Sequence, residues 1–365
     1  YLEQGAKIIR LDAIAYIWKE VGTPSIHLPQ VHAIVRLMRA VLDEVAPGAL
    51  LITETNVPHK ENISYFGRGG TDEAHLVYQF PLPPLTAHAF MQGTARYLTE
   101  WAATLSTPSP QTGFFNFTAS HDGVGVRPLD GLVPRGGLEA LIDRARASGG
   151  QTSYKTNADG SKSPYELNVT YYDLLNPPNS GEPQSLQVAR FLASQAIMLA
   201  LAGIPGIYFH SLLGSRNFSA GVKATRHPRT INREKLSAMA VEAELRDPAT
   251  RRYAVFYAYR DLIQKRIAER SFHPNASQRI LTFNDAIFGL LRIAQAGDEG
   301  IIALHNVSGA AQQVSVDPAA LGIGRIKQAV DLISGGVISA WSDGILYAEL
   351  APYQVMWLKF PIKDR

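Results

Sequence analysis

An apolar run ending in a carboxylate, an amphipathic helix and a second apolar run ending in a carboxylate follow one another before residue 55, and this order constrains the fold most. Lys7–Ala13 (KIIRLDA) reads as a short buried strand. Gln30–Val45 follows with Val31, Ile34, Val35, Met38, Val41, Leu42 and Val45 on one helical stripe, and Pro47-Gly48 stops it. Ala49–Thr53 is a continuous apolar run ending at Glu54. Strand, helix and strand in so short a span make a βαβ unit, and such units build parallel sheets.

The rhythm continues with a candidate strand at His75–Phe80, a helical stretch to Leu105, and a strand at Phe114–Ser120. It breaks over 123–183, rich in Gly, Pro, Asn and Asp, which reads as an insertion or small subdomain; Tyr165, Leu167, Val169, Tyr171 and Leu174 are its candidate packing residues. A buried helix is expected over Gln184–Leu201, a strand over Gly206–His210, and helix over Leu236–Ala268 with a break near Pro248. From Ser271 the character changes. Runs at Ile287–Ile293, Gly300–Val307, Gln312–Val316, Gln328–Ile333 and Gln354–Phe360 alternate with turn signals such as Gly335-Gly336 and Asp343-Gly344. The fold class expected is α/β: part of a TIM (β/α)8 barrel over 1–270, followed by an antiparallel β-sandwich domain over 271–365.

Composition narrows the function. The 365 residues contain no cysteine, which removes disulfide scaffolds, thiolate metal sites and thiol nucleophiles, and favours a reducing, cytoplasmic setting. Charged residues are 18% and the net charge of +3 is interspersed, with no basic run to suggest a nucleic-acid or membrane partner. The apolar stretch Phe191–Phe209 is interrupted by Gly203, Pro205 and Gly206 and reads as a buried helix and strand, not a membrane span. The chain starts at Tyr1, almost directly in a buried strand, and reads as a fragment that has lost an N-terminal part.

In a (β/α)8 barrel the chemistry sits at the carboxyl ends of the strands. Asp12, Glu54 and Asp122 end three of the expected strands and can share one cleft. Strand periodicity puts Arg10 on the face of Asp12, where its guanidinium favours an ionised carboxylate. One ionised carboxylate and one drier, protonated carboxyl are the pair that retaining glycoside chemistry requires. On the residues alone, helix capping, solvated charge or metal ligation stay open for these carboxylates.

Arg10-Leu11-Asp12-Ala13, Thr53-Glu54 and Ser120-His121-Asp122 resemble, in order, three strand-end motifs of the α-amylase superfamily (glycoside hydrolase family 13). The resemblance implies strands 4 to 8 of the barrel. It implies Asp12 as nucleophile, Glu54 as acid/base and Asp122 as a transition-state stabiliser, with Arg10 positioning Asp12 and His121 bonding the sugar. The family's Asp and His on earlier strands have no counterpart here, so the subsite is expected to be incomplete.

The stretches 14–23 and 118–128 and Ile231-Asn232-Arg233 resemble sucrose phosphorylase and its relatives; 54–59 and 208–217 are similar to the glucosylglycerate and glucosylglycerol phosphorylase branch. Asn56 stands where sucrose phosphorylases usually carry His. The resemblance implies a retaining α-glucoside phosphorylase with inorganic phosphate as co-substrate, a small carbohydrate substrate, and no cofactor or metal. Tyr16, Asn56 and Arg233 are its candidate substrate-binding residues. Two alternatives stay open: an α-glucosidase or transglucosidase, and a non-catalytic sugar-binding relative. The acceptor and the oligomeric state are left unassigned.

Overall fold

The computed structural model describes residues 1–157 and 159–362. Strand β1 (Ile8–Leu11) leads through helix α1 (Pro29–Val45) to β2 (Leu50–Thr53), and β3 (Leu76–Tyr78) through helix α2 (Leu82–Gln92) to β4 (Gly113–Phe117). Then come β5 (Val124–Gly125), helix α3 (Arg135–Ala147), β6 (Gln151–Thr156) and β7 (Lys162–Asn168). Helix α4 (Gln184–Ala200), β8 (Ile204–Gly206) and helices α5 (Ala238–Arg246) and α6 (Arg251–Ala268) follow. The β-rich remainder contains β9 (Ser277–Leu281), β10 (Ile287–Ile293), β11 (Glu299–Asn306), β12 (Gln312–Val316), β13 (Gln328–Asp331), β14 (Val337–Ser339), β15 (Leu346–Leu350) and β16 (Val355–Pro361).

The first sheet is parallel, in the order β1-β2-β3-β4-β8, the arrangement of half a (β/α)8 barrel. Its last strand lies earlier in the chain than the sequence indicates. Ile204–Gly206 pair with Phe115–Phe117, while Phe209–Leu212 form a helical turn, so the expected strand over Gly206–His210 is corrected. Pro205 sits in β8 opposite Asn116 of β4. In α1 the expected stripe divides: Val31, Val35 and Leu42 are buried, whereas Val41 and Val45 face solvent.

The connection from β4 to β8 contains a three-stranded antiparallel sheet, β5-β7-β6, and the 13-residue helix α3. That helix is absent from the sequence reading, because its only buried apolar positions are Leu141, Ile142 and Ala145. Leu167, Val169, Tyr171 and Leu174 are buried as expected, whereas Tyr165 stays half-buried and lines the cleft described below.

Helix α4 is buried nearly all round and packs against α2, α6, β4 and β11. Its last carbonyls are met by buried cations. Arg266 Nε on α6 donates to Leu199 O at 2.8 Å, and Arg292 Nη1 on β10 donates to Ala200 O at 2.8 Å. Cations at this end oppose the helix dipole and occupy carbonyls that have no helical partner.

The remaining strands form a six-stranded antiparallel sheet, β14-β13-β16-β11-β10-β9, and a two-stranded sheet, β12-β15. Alternation along β10 and β11 sends Phe288, Leu290, Ile301 and Ala303 into the same core as α4. Ile287, Leu291, Ile302 and Leu304 point the other way, against Val314, Leu346 and Leu350 of the small sheet. The central strands are therefore covered on both faces.

Candidate active site

The parallel strands deliver their polar residues to one cleft of about 310 Å³. Asp12 follows β1, Glu54 follows β2, and Ser120, His121 and Asp122 lie in the loop after β4. All five line the cleft with Arg10, Asn56, Tyr78, Phe117, Tyr165, Glu166, Arg229 and Arg233. Tyr16 does not line it. It is exposed at the end of the single turn Ile14–Tyr16, because the chain turns away directly after Asp12.

Arg10 organises the Asp12 and Glu54 side. Its Nη1 donates to Asp12 Oδ1 at 2.5 Å, its Nε donates to Tyr78 Oη at 3.0 Å, and its Nη2 lies 3.7 Å from Glu54 Oε2. The Asp12 side chain is 72% exposed and open to an incoming ligand. Glu54, at 14% exposed, accepts a hydrogen bond from the Ala13 main-chain N–H at 2.9 Å. Ala13 holds φ at 46°, in the left-handed region that a residue with a Cβ seldom adopts.

Burial pushes the Glu54 carboxyl above its ordinary range. The Ala13 N–H and Arg10 pull it back in part, while the charges of Asp12 and Asp122 push it further up. A carboxyl whose acid form is favoured by burial, beside an exposed second carboxyl, is an arrangement that general-acid and nucleophilic chemistry uses.

On the opposite wall, Asp122 Oδ1 accepts from Arg229 Nη1 at 2.5 Å and from Arg233 Nη2 at 3.1 Å. Arg233 Nε also donates to His121 O at 2.5 Å, so its partners are the loop after β4 rather than the nearby acids Glu234 or Asp247. Asn232 Nδ2 donates to the carbonyls of Ser120 and Asp122 at 3.0 and 2.8 Å, fixing that loop's backbone. His121 is more than half exposed, its Nε2 3.7 Å from Asp122 Oδ1. Among the described residues the Asn56 Oδ1 is buried without a partner, and the Asn56 amide lies against Gly125, where a Cβ would come within 2.7 Å of Nδ2.

Sequence reasoning did not find Arg229, Glu166, Tyr78 or Tyr165. A charge pair separated by 63 residues leaves no local pattern. The one available signal was that Arg229 and Arg233 lie four residues apart before α5. His59 and His210 are held outside the cleft lining, and burial lowers both from the usual imidazole range. Among the described residues no group of three or more His, Asp or Glu side chains could hold a metal ion.

No family model matches the chain. Compared with curated proteins, it is 46% identical over 373 residues to the glucosylglycerate phosphorylase of Spirochaeta thermophila, covering 100% of this chain and 62% of the relative. It is 42% identical to the glucosylglycerate phosphorylase of Escherichia coli, covering 98% of this chain and 61% of that protein. This chain belongs to the sucrose phosphorylase and glucosylglycerate phosphorylase-like branch of the α-amylase superfamily. It spans about three-fifths of the length of these relatives. Solved structures agree on the fold. The sucrose 6F-phosphate phosphorylase of Thermoanaerobacter thermosaccharolyticum superposes with a TM-score of 0.68 at 23% identity, over 84% of this chain and 57% of that one. The α-amylase of H. orenii gives 0.65 at 14% identity, over 99% of this chain and 62% of that one. Among the described residues no helix is long and apolar enough to cross a membrane.

Proposed function

We propose that the intact protein is a cytoplasmic retaining α-glucoside phosphorylase that moves glucose from a small α-glucoside, glucosylglycerate before sucrose, to inorganic phosphate. In this reading β1, β2, β3, β4 and β8 are strands 4 to 8 of a (β/α)8 barrel; 123–183 is an insertion and 271–365 a β-sandwich domain. No metal, cofactor, nucleic acid or membrane enters the proposal.

Asp12 attacks the anomeric carbon while Glu54 protonates the departing glycosidic oxygen, giving a β-glucosyl ester on Asp12. Phosphate then attacks the same carbon from the vacated face while handing a proton back to Glu54, the ester bond breaks, and α-glucose 1-phosphate leaves with Asp12 and Glu54 both restored. Such retention works with the two carboxyl groups about 5–5.5 Å apart. The cleft supports this order of events electrostatically. The Asp12 charge is one of the influences that raise Glu54, and esterification removes it. Glu54 therefore gives up its proton more readily after the first step than before it, as a group that turns from acid to base must. Asp122 grips the sugar hydroxyls from the opposite wall, Arg10, His121 and Arg233 complete the contacts on the sugar side, and the Asn56 amide serves the phosphate or acceptor. Tyr16, at the rim, reaches an acceptor only if the segment after Asp12 folds inward.

The observation that favours phosphorolysis over hydrolysis is the 42–46% identity to glucosylglycerate phosphorylases along nearly the whole chain. Incubating the intact protein with phosphate and glucosylglycerate should release glucose 1-phosphate. Free glucose at a rate indifferent to phosphate would overturn the proposal in favour of an α-glucosidase.

A further inference from the structure

Glu166 stands on β7, in the sheet within the connection between β4 and β8. Its side chain is only 4% exposed although it borders the cleft. Both carboxylate oxygens are engaged by one guanidinium: Arg229 Nε donates to Oε1 at 3.0 Å and Arg229 Nη2 to Oε2 at 2.6 Å. Such a two-point contact fixes the plane and direction of an arginine as a single contact cannot. The remaining nitrogen of Arg229, Nη1, then points at Asp122 Oδ1.

A second observation ties the same carboxylate to the Asp122 loop. Gly123, the next residue, packs so closely that a Cβ there would lie 2.5 Å from Glu166 Cγ, 2.7 Å from Glu166 Oε1 and 2.6 Å from Leu167 O. Glu166 therefore touches the loop of Asp122 directly and holds its side chain through Arg229.

The geometry points to Glu166 as a positioning residue that sets Asp122 through Arg229, making the β6–β7 hairpin a working part of the site. This inference rests on the proposed role of Asp122. Glu166 is 4% exposed with both oxygens turned to Arg229, and it acts through that arginine rather than on substrate. Arg233 also reaches Asp122 Oδ1, but through a single nitrogen, with its Nε turned to the His121 carbonyl. Arg229 is the guanidinium whose direction an acid locks.

The test is single-turnover release of fluoride from α-glucosyl fluoride by the intact protein, which reads formation of the glucosyl ester before any acceptor is needed. Misplacing a reacting group by about 1 Å costs on the order of 100-fold in rate. Glu166→Gln and Arg229→Gln should each slow the step by about that factor, with the apparent affinity for the fluoride shifted less than about threefold. The double variant should be no slower than the slower single, since both changes break one chain of contacts. Glu166→Asp keeps the charge with a shorter reach and should recover about tenfold over Glu166→Gln, with folding checked by thermal unfolding. A Glu166→Gln rate within threefold of the unsubstituted protein would overturn the inference. So would losses that multiply in the double variant, or a Glu166→Asp variant as slow as Glu166→Gln. If Asp12→Asn leaves fluoride release unchanged, the mechanism itself has failed. If only free glucose forms, the acceptor reading has failed and the positioning role stands.

Discussion

Replacing Glu54 with Gln isolates the proton that the proposed mechanism needs. The substitution preserves shape, and the amide oxygen can still accept from the Ala13 N–H, now 2.9 Å from Oε2. Arg10 Nη2, at 3.7 Å, loses an ionic neighbour but no close hydrogen bond. What disappears is an acidic proton, and general-acid assistance is worth about 10²–10⁴ in rate, or roughly 3–5 kcal/mol of barrier. With glucosylglycerate, whose leaving alcohol is a poor one, turnover should fall by about that factor. With α-glucosyl fluoride, which departs without a proton, it should fall less than about tenfold.

The pH dependence has a definite sign. Burial raises the Glu54 carboxyl, so the acid form persists above the ordinary glutamic range, and the alkaline limb of turnover should lie there and vanish in Glu54→Gln. Because the folded-state value is raised, the stability associated with this group is full below the unfolded value and is lost as pH rises through the folded one. Glu54→Gln should therefore match the unsubstituted protein in urea unfolding near pH 3 and exceed it at pH 7. Equal losses on both donors, or an alkaline limb that survives the substitution, would refute the reasoning.

Other perturbations address the remaining parts. Asp12→Asn should abolish turnover, and quenched Glu54→Gln incubated with α-glucosyl fluoride should show one added glucosyl group on the Asp12 peptide by mass spectrometry. In Gly125→Ala the new Cβ meets the Asn56 amide at 2.7 Å, so KM for the acceptor should rise while single-turnover fluoride release changes little. Arg292→Met removes the guanidinium that donates to the carbonyls of Ala200, His273, Ala276 and Ser277, the Ala200 and Ala276 bonds being buried, and should cost about 3 kcal/mol in urea unfolding. Trp341 is 68% exposed at a hairpin end, and Trp341→Ala should leave both turnover and unfolding midpoint within error.

The parts of the fold legible in sequence are those where periodicity and punctuation agree. The parallel strands around Arg10 and Ile52 carry short apolar runs cut off by a carboxylate, and β10 and β12 coincide with the alternating runs read from sequence. Strand β8 was misplaced because Gly203, Pro205 and Gly206 look like a break, and only pairing with Phe115–Phe117 makes them a strand. Six strands were not read: β5, β6 and β7 in the connection over 123–183, and β9, β14 and β15 in the β-rich remainder, most of them short or partly exposed. The carboxylates of the cleft were legible because strand ends converge by topology. Glu166 and Arg229 were not, because their meeting depends on how an irregular connection folds back over the cleft.

The contact between the Ala13 N–H and Glu54 has a wider consequence. One peptide N–H just after β1 ties the Glu54 carboxyl to the segment that carries Asp12, beside the tie that the Arg10 side chain makes. Libraries that vary the cleft walls can change which alcohol departs or arrives while leaving the stereochemical outcome untouched. Proline at position 13, which deletes the amide, cuts that tie.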